Sequence, residues 1–332
     1  MTFSNLFSNS DLPIEVQLSD LNSQYWVGDT WSIVGGKAVN TPSVESAVTV
    51  SNPEFTTDTT DWTQYNSTIS RVDSETDPGS LSHGLDKWCL KLIDGGVDAR
   101  ATFGSLSTTI GSWYKFSSVL YSPSSNTDLR VGLVGCGTFL ASEAYGFVRS
   151  SSNNIWEAAN ISFLSSSVVL YLKLKTNSAT NGDVAYFDKI VVNKLSLPTL
   201  SRLTNFGSQY GRLKARWSIA EGVQAGVNMC VDNPYNTLNM VTAQHNRTNL
   251  TFSKRVNGVV TVFFSTAVTY VDNANIEIRR APGTNVFQAF YNNAQVGTNQ
   301  TISDATIIDN PWHGLFSTDS QNQCSDFSFV SV

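Results

Sequence analysis

The sequence predicts an all-β protein made of two antiparallel β-sandwiches, and three observations lead there. Apolar and polar residues alternate over short runs. "KWCLKLI" places Trp88, Leu90 and Leu92 on one face and Lys87, Cys89 and Lys91 on the other. Turn pairs such as Asn-Gly, Asp-Gly, Gly-Gly and Pro-Gly interrupt these runs at short intervals. Few stretches keep a helical apolar period over three turns.

The elements follow in chain order. "PIEVQLSDL", residues 13–21, reads as one short helix or a strand. "VGDTWSIVGGKAVN", residues 27–40, reads as the opening of a sandwich, with Val27, Trp31, Ile33 and Val39 for the core and turns at Gly28-Asp29 and Gly35-Gly36. A stretch rich in Ser and Thr, residues 40–62, carries Pro42 and Pro53 and marks a break. Strands resume with "KWCLKLI", "GSWYKFSSVLYS" and "IWEAANISFL". "SSVVLYLKLKT" sets Val168, Leu170, Leu172 and Leu174 on one face. "NKLSLPTLSRL", residues 193–203, is the second break, at Pro198. Beyond it come "YGRLKARWSI", "GVVTVFFST" after an Asn257-Gly258 turn, and "NIEIRR". "DFSFVSV" at the end is short and polar-alternating, as a sheet edge would be.

Composition narrows the function. The chain has 332 residues, 41% of them hydrophobic, which is ample for two cores. Only 14% are charged, against about 25% in ordinary domains, so Ser, Thr, Asn and Gln must supply the polar surface. The net charge of −6 and pI near 5.1 argue against a nucleic-acid partner, which needs a basic stripe. The densest basic spots, Arg212 to Arg216 and Arg279-Arg280, are too small for one. No apolar run is long enough to insert into a membrane. "MTFSNLFSNSDLP" lacks the basic and apolar regions of a secretory signal. A surface of extracellular character without an export signal suggests a virion protein made in a host cytoplasm; a processed secreted protein is the other reading. The four cysteines form no CxxC pair, so free buried thiols are expected.

The middle of the chain resembles the carbohydrate-binding jelly rolls of families 4, 9 and 22, the galactose-binding-like sandwiches. The cues are ordered over about residues 48–196: Asn52, Phe55 and Trp62; the "DKWCLKL" strand; Gly111, Tyr114 and Ser117; Trp156 and Phe163; Asp188 and Val191. The segment 200–332 resembles a concanavalin A-like, laminin G-like sandwich. Its cues are "VFQAFYNNAQVG" with Asn292-Asn293 in a turn, "PWHGLFST" and "CSDFSFVSV". Such a sandwich begins with a Gly-x-Trp hairpin that nothing between residues 197 and 209 supplies, whereas "GDTWSIVGGKAV" does. The expectation is therefore one discontinuous sandwich, residues 1–45 with 200–332, interrupted by a jelly roll over 48–196. Three units in series is the alternative.

The resemblance implies saccharide recognition, which needs aromatic faces for the sugar ring and amide or guanidinium donors for its hydroxyls. In the jelly roll the candidates are Glu143, Tyr145, Arg149, Asn154 and Trp156 around one hairpin. Trp113 is a further platform, because its neighbour Tyr114 takes the core position in the family pattern. In the second sandwich, Asp232, Tyr235, Trp312 and His313 fall in rim loops, where ordinary turn chemistry accounts equally well for Asp-Asn-Pro and Asn-Pro. Jelly rolls of this type also hold a structural calcium, for which Asp188 fits the closing ligand and Glu54 is displaced from the usual acidic position, now Thr56. No other cofactor is expected.

Catalysis is disfavoured. Glu143, Glu157 and Glu277 are isolated acids, and none has a carboxylate two residues on, as concanavalin A-like glycosidases require. HExxH, GxSxG and P-loop motifs are absent. The expected function is that of a virion adhesin or decoration protein, in a head fibre or tail appendage, that presents glycan-binding modules to a host surface. Its partners would be other capsid or tail proteins, a host glycan, and further copies of itself. A secreted carbohydrate-binding module and a purely architectural sandwich are the alternatives.

Overall fold

The structure is a computed structural model that describes residues 26–27, 30–78, 87–96, 98–123, 133–137, 147–149, 154–165, 167–176, 182–235 and 237–331. The segment 13–21 lies outside them. The chain is nearly all β and divides into two compact units. One comprises the described residues of 1–43 and 195–332; the other is built from 44–194.

The first unit has two seven-stranded sheets. The first sheet runs β1 (Trp26–Val27), β15 (Ser201–Asn205), β24 (Trp312–Ser317), β17 (Ala225–Val231), β18 (Met240–His245), β19 (Asn249–Val256), β20 (Val259–Ala267). The second runs β2 (Trp31–Val34), β3 (Lys37–Asn40), β25 (Gln323–Ser331), β16 (Gly211–Ser218), β21 (Ala274–Arg280), β22 (Val286–Tyr291), β23 (Ala294–Thr301). Every pairing is antiparallel. One apolar core is fed from both sheets: Val227, Val241, Phe252 and Leu315 from the first, Leu213, Trp217, Ile276, Phe287 and Phe329 from the second. Alternation along each strand delivers these side chains to one side, which is why two sheets can close on each other.

The early hairpin β2–β3 belongs to this core. Gly35 and Gly36 both take positive φ, 57° and 76°, which tightens the turn. Trp31 meets Trp217 edge-on at 6.3 Å. Asn40 is fully buried. Its Nδ2 donates to Ser317 O at 2.8 Å and Thr199 O at 2.9 Å, and its Oδ1 accepts from Thr30 Oγ1 at 2.7 Å. A buried amide with its hydrogen bonds filled pins the hairpin in one position.

The second unit has a five-stranded sheet, β11 (Phe147–Arg149), β10 (Leu133–Gly137), β13 (Val169–Lys175), β8 (Arg100–Ser107), β5 (Trp62–Tyr65). Its partner is a six-stranded sheet, β12 (Trp156–Leu164), β9 (Trp113–Tyr121), β14 (Val184–Leu195), β7 (Trp88–Asp94), β6 (Ser67–Asp73), to which β4 (Val44–Val48) adds along β14. Its core draws Phe103, Leu170, Leu172 and Leu174 from one sheet and Leu90, Phe116, Ile161 and Phe187 from the other. Phe55 and Trp62 pack at 5.6 Å. Cys89, Cys230 and Cys324 are free buried thiols.

Three readings need correction. "DFSFVSV" is not an edge: β25 lies inside the second sheet between β3 and β16, because the early hairpin covers it. Val168 is exposed; it precedes β13, so the alternation that buries Leu170 does not reach it. Trp113 is 3% exposed, and Tyr114 beside it is buried too. Alternation sends the two rings to opposite faces, but both faces are covered at this point, so Trp113 offers no platform.

Candidate functional site

The jelly-roll candidates do not assemble into a groove among the described residues. Glu143 and Tyr145 lie outside those residues. Arg149 is placed by backbone register alone, opposite Leu133. Asn154 holds a turn, with positive φ and its N–H on Ser122 O at 2.7 Å. Trp156 is buried against Tyr121 at 5.5 Å, and Tyr121 meets Tyr186 edge-on at 5.8 Å. These rings form an apolar cluster with Cys89 and Val119, so Trp156 is a packing residue and not a sugar platform.

The calcium candidates are neighbours without completing a site. Ile190 N–H donates to Pro53 O at 2.9 Å, which brings the Glu54 loop alongside the segment after Asp188. Asp188 is fully buried and its Oδ1 accepts the Lys189 N–H at 2.7 Å. Among the described residues no group of three acidic, histidine or cysteine side chains is placed to hold a metal, and a hard cation wants six to eight oxygens.

The rim candidates of the first unit divide. Asp232 closes its own loop: Oδ1 accepts the N–H groups of Asn233 and Asn239 at 2.8 and 3.1 Å, and Oδ2 accepts Asn239 Nδ2 at 2.6 Å. Tyr235, in the loop so tied, is 74% exposed. Trp312 is half-buried on Leu203, Val231 and Met240. His313 is corrected outright: it alternates with Trp312 and points into the sandwich. Its Nδ1 accepts the Cys230 N–H at 3.0 Å, so Nε2 carries the proton and donates to Ser208 O at 2.7 Å. Its ring stacks on Phe329 at 4.5 Å. Burial pushes its pKa down to about 4, and it cannot serve as a cation at neutral pH.

Trp312 and Tyr235 lead to a larger feature, the outer face of the first sheet. Residues that alternate with the core face outward in register. One row runs Phe316, Gly226, Gln244, Thr251. The next runs Gly314, Asn228, Thr242, Ser253. The third pairs Trp312 with Val231 and Met240 with Arg255, and Val231 and Met240 pack in one cluster. A bulge at Cys230, with φ of 56°, shifts the register and turns Val231 to this face. Asn228 is the hub of the middle row: Nδ2 donates to Ser201 Oγ at 2.7 Å, and Oδ1 accepts from Thr242 Oγ1 at 2.8 Å.

Arg255 ends the third row. Burial lowers its pKa to about 10, and its Nη1 donates to Gly258 O at 3.3 Å. These rows are nearly all buried: Asn228 and Val231 are fully so, and Thr242, Ser253, Met240 and Arg255 almost so. The half-buried Trp312 and the exposed Tyr235 are what this end of the sheet presents, since Tyr235 sits in the loop that follows Val231, the residue paired with Trp312. Sequence reasoning found Trp312 and Tyr235 but missed Asn228, Thr242, Ser253 and Arg255. Their signal was the polar half of the alternation in "AGVNMCV", "MVTAQH" and "NLTFSKRV".

No protein-family profile matches this chain, and no curated protein sequence does. Solved structures similar to it include carbohydrate-binding modules. The CBM66 module from Bacillus subtilis is 13% identical over 39% of this chain and 77% of its own, with a TM-score of 0.27. The tandem CBM22-1–CBM22-2 domain of Paenibacillus barcinonensis Xyn10C is 8% identical over 88% of this chain and 98% of its own, with a TM-score of 0.35. An arabinose-bound α-L-arabinofuranosidase, MgGH51, is 15% identical over 47% of this chain and 29% of its own, with a TM-score of 0.33.

Proposed function

We propose that this chain is a non-catalytic glycan-binding protein, with the rim of the first sheet around Tyr235 and Trp312 as its saccharide site, and that it is displayed as an adhesin on a virion. The observation that carries the reading is a pair of rings at one end of that sheet: Tyr235, 74% exposed in the loop tied by Asp232, and the half-buried Trp312, paired with Val231 where that loop begins. Sugars present hydroxyls that donate and accept, together with C–H faces that rest on aromatic rings. The three rows contain no Asp or Glu, whereas glycoside hydrolysis uses two carboxylates across the scissile bond. Binding without turnover fits that inventory. The virion setting is supported by the sparsely charged, Ser- and Thr-rich composition.

A glycan array with the full chain tests the binding. The chain is expected to retain specific glycans, and Tyr235→Ala, which removes an exposed ring, is expected to weaken retention by about three- to tenfold without altering the fold. A dark array overturns the reading in favour of an architectural sandwich. Mass spectrometry of purified particles tests the setting: a chain secreted free of particles would instead be a carbohydrate-binding module of a polysaccharide-degrading system.

A further inference from the structure

The outer face of the second sheet carries a different set of groups. On β21, Asn275, Glu277 and Arg279 alternate with the core residues Ile276 and Ile278; on β16, Arg212 and Lys214 alternate with Leu213 and Ala215; on β22, Gln288 and Phe290 alternate with Phe287 and Ala289. The registers set Arg212 beside Arg279 beside Gln288, and Lys214 beside Glu277 beside Phe290. Glu277 is fully buried. Arg212 Nε and Nη2 meet its two oxygens at 2.7 and 3.0 Å, and Arg279 Nε bonds the same carboxylate. Arg279 also lies 3.7 Å from the centre of the Phe290 ring.

Two amide oxygens on this face have no hydrogen-bond partner among the described residues: Gln288 Oε1 and Asn275 Oδ1. Both residues are more than nine-tenths buried, at 4% and 7% exposure. The Gln288 amide is held in place, since its Nε2 donates to Asn299 Oδ1 at 2.7 Å. A buried acceptor without a donor is costly and rare, and it points to a group that arrives with O–H to give. Cations also outnumber anions here, with Arg212, Lys214, Arg216 and Arg279 against Glu277 and Asp326, in a chain whose net charge is −6.

We propose that this face is a second saccharide site, for sugars that carry a carboxylate. Sugar hydroxyls supply the donors that Gln288 and Asn275 lack. A uronate carboxylate supplies the acceptor for Lys214 and for Arg212 Nη1, the guanidinium nitrogen that Glu277 does not hold. Glu277 aligns the two arginines, and the Phe290 ring stiffens Arg279. The proposal rests on the glycan-binding reading for its ligand class but on separate residues for its site.

Calorimetry of the full chain at physiological salt tests it, with oligogalacturonate as the probe and its methyl ester as the neutral control. The acid is expected to bind at least about tenfold more tightly than the ester, a difference of about 1.4 kcal/mol. Lys214→Glu is expected to abolish that preference. Lys214→Gln, which adds no charge beside Glu277, should reduce it, while retention of neutral glycans stays unchanged in both. Equal binding of acid and ester, or variants that bind the acid as the parent does, would overturn the proposal. A chain that binds neutral glycans but not oligogalacturonate sinks this site alone. A chain that binds no glycan sinks the reading of the first sheet as well.

Discussion

Two buried histidines make the protein sensitive to acid at the level of single residues. His245 and His313 both have pKa values lowered to about 4 by burial. Each accepts a backbone N–H at Nδ1, His245 from Arg247 at 2.8 Å and His313 from Cys230 at 3.0 Å, and must stay neutral to do so. In the unfolded chain both return to about 6.5. Between pH 6.5 and 4 the unfolded state therefore binds protons that the folded state refuses. Stability is intact above this window and falls as the pH drops through it, by up to about 3 kcal/mol per histidine. Urea midpoints at pH 7 and pH 4.5 measure the drop. His313→Phe should flatten part of the slope while losing about 1–3 kcal/mol at pH 7, since the Cys230 N–H and Ser208 O lose their partner. Arg280 is the other buried charge of note. It is 1% exposed and is satisfied by Thr284 O, Ile308 O and Asn285 Oδ1, with the Tyr210 ring 4.4 Å away. Arg280→Lys is expected to destabilise the fold by about 2–4 kcal/mol, seen as a lower denaturant midpoint, because an ammonium cannot reach that set of acceptors. Neither histidine's burial was legible in the sequence. In "NPWHG" the one-residue offset between Trp312 and His313 decides which ring faces the core, and only the pairing of β24 with β15 and β17 fixes that offset.

Single strands were far more legible, because alternation and turn chemistry are local. Gly35-Gly36, Asn257-Gly258 and Asn292-Asn293 all adopt positive φ in tight hairpins, as their residue types predict. What alternation could not say is which strands become neighbours. β25 looked like an edge and is an interior strand, since its partner β3 comes from the far end of the chain. The same gap hid the polar face of the first sheet: each strand showed an outward polar half, but the rows exist only once β24, β17, β18 and β19 are paired. Close approach of backbones is also decided at this scale. A Cβ at Gly314 would stand 1.8 Å from Arg202 O, and one at Gly226 would stand 2.0 Å from Ala243 O. Gly314→Ala is expected to push β24 off β15 and to destabilise the unit by more than about 3 kcal/mol, far beyond an exposed glycine substitution. Gly283→Ala, at a turn with open space around it, is the comparison, although its positive φ still carries a cost of about 1 kcal/mol.

For the molecule as a whole, the question is how one chain builds two cores. Ser196 N–H donates to Ser43 O at 2.9 Å, and Thr199 Oγ1 accepts the Ser43 N–H at 3.1 Å. The two chain segments that flank residues 44–194 therefore lie within a hydrogen bond of each other, and closing the first unit across the gap needs little loop entropy. Replacing 44–194 by a short Gly-Ser linker is expected to leave the first unit with a cooperative thermal transition, and 44–194 expressed alone should show its own. Calorimetry of both pieces checks this, and a shortened chain that melts without cooperativity would count against two independent cores. The sequence by itself determined the β class, the hairpin turns and the aliphatic core of most strands, because all of these follow from period-two alternation and local backbone preference. Only the tertiary structure decided which rings are buried, which polar residues line up across strands, and that Trp31 packs on Trp217. Those outcomes depend on register and on pairing between residues far apart in the chain, and neither is written in any local pattern.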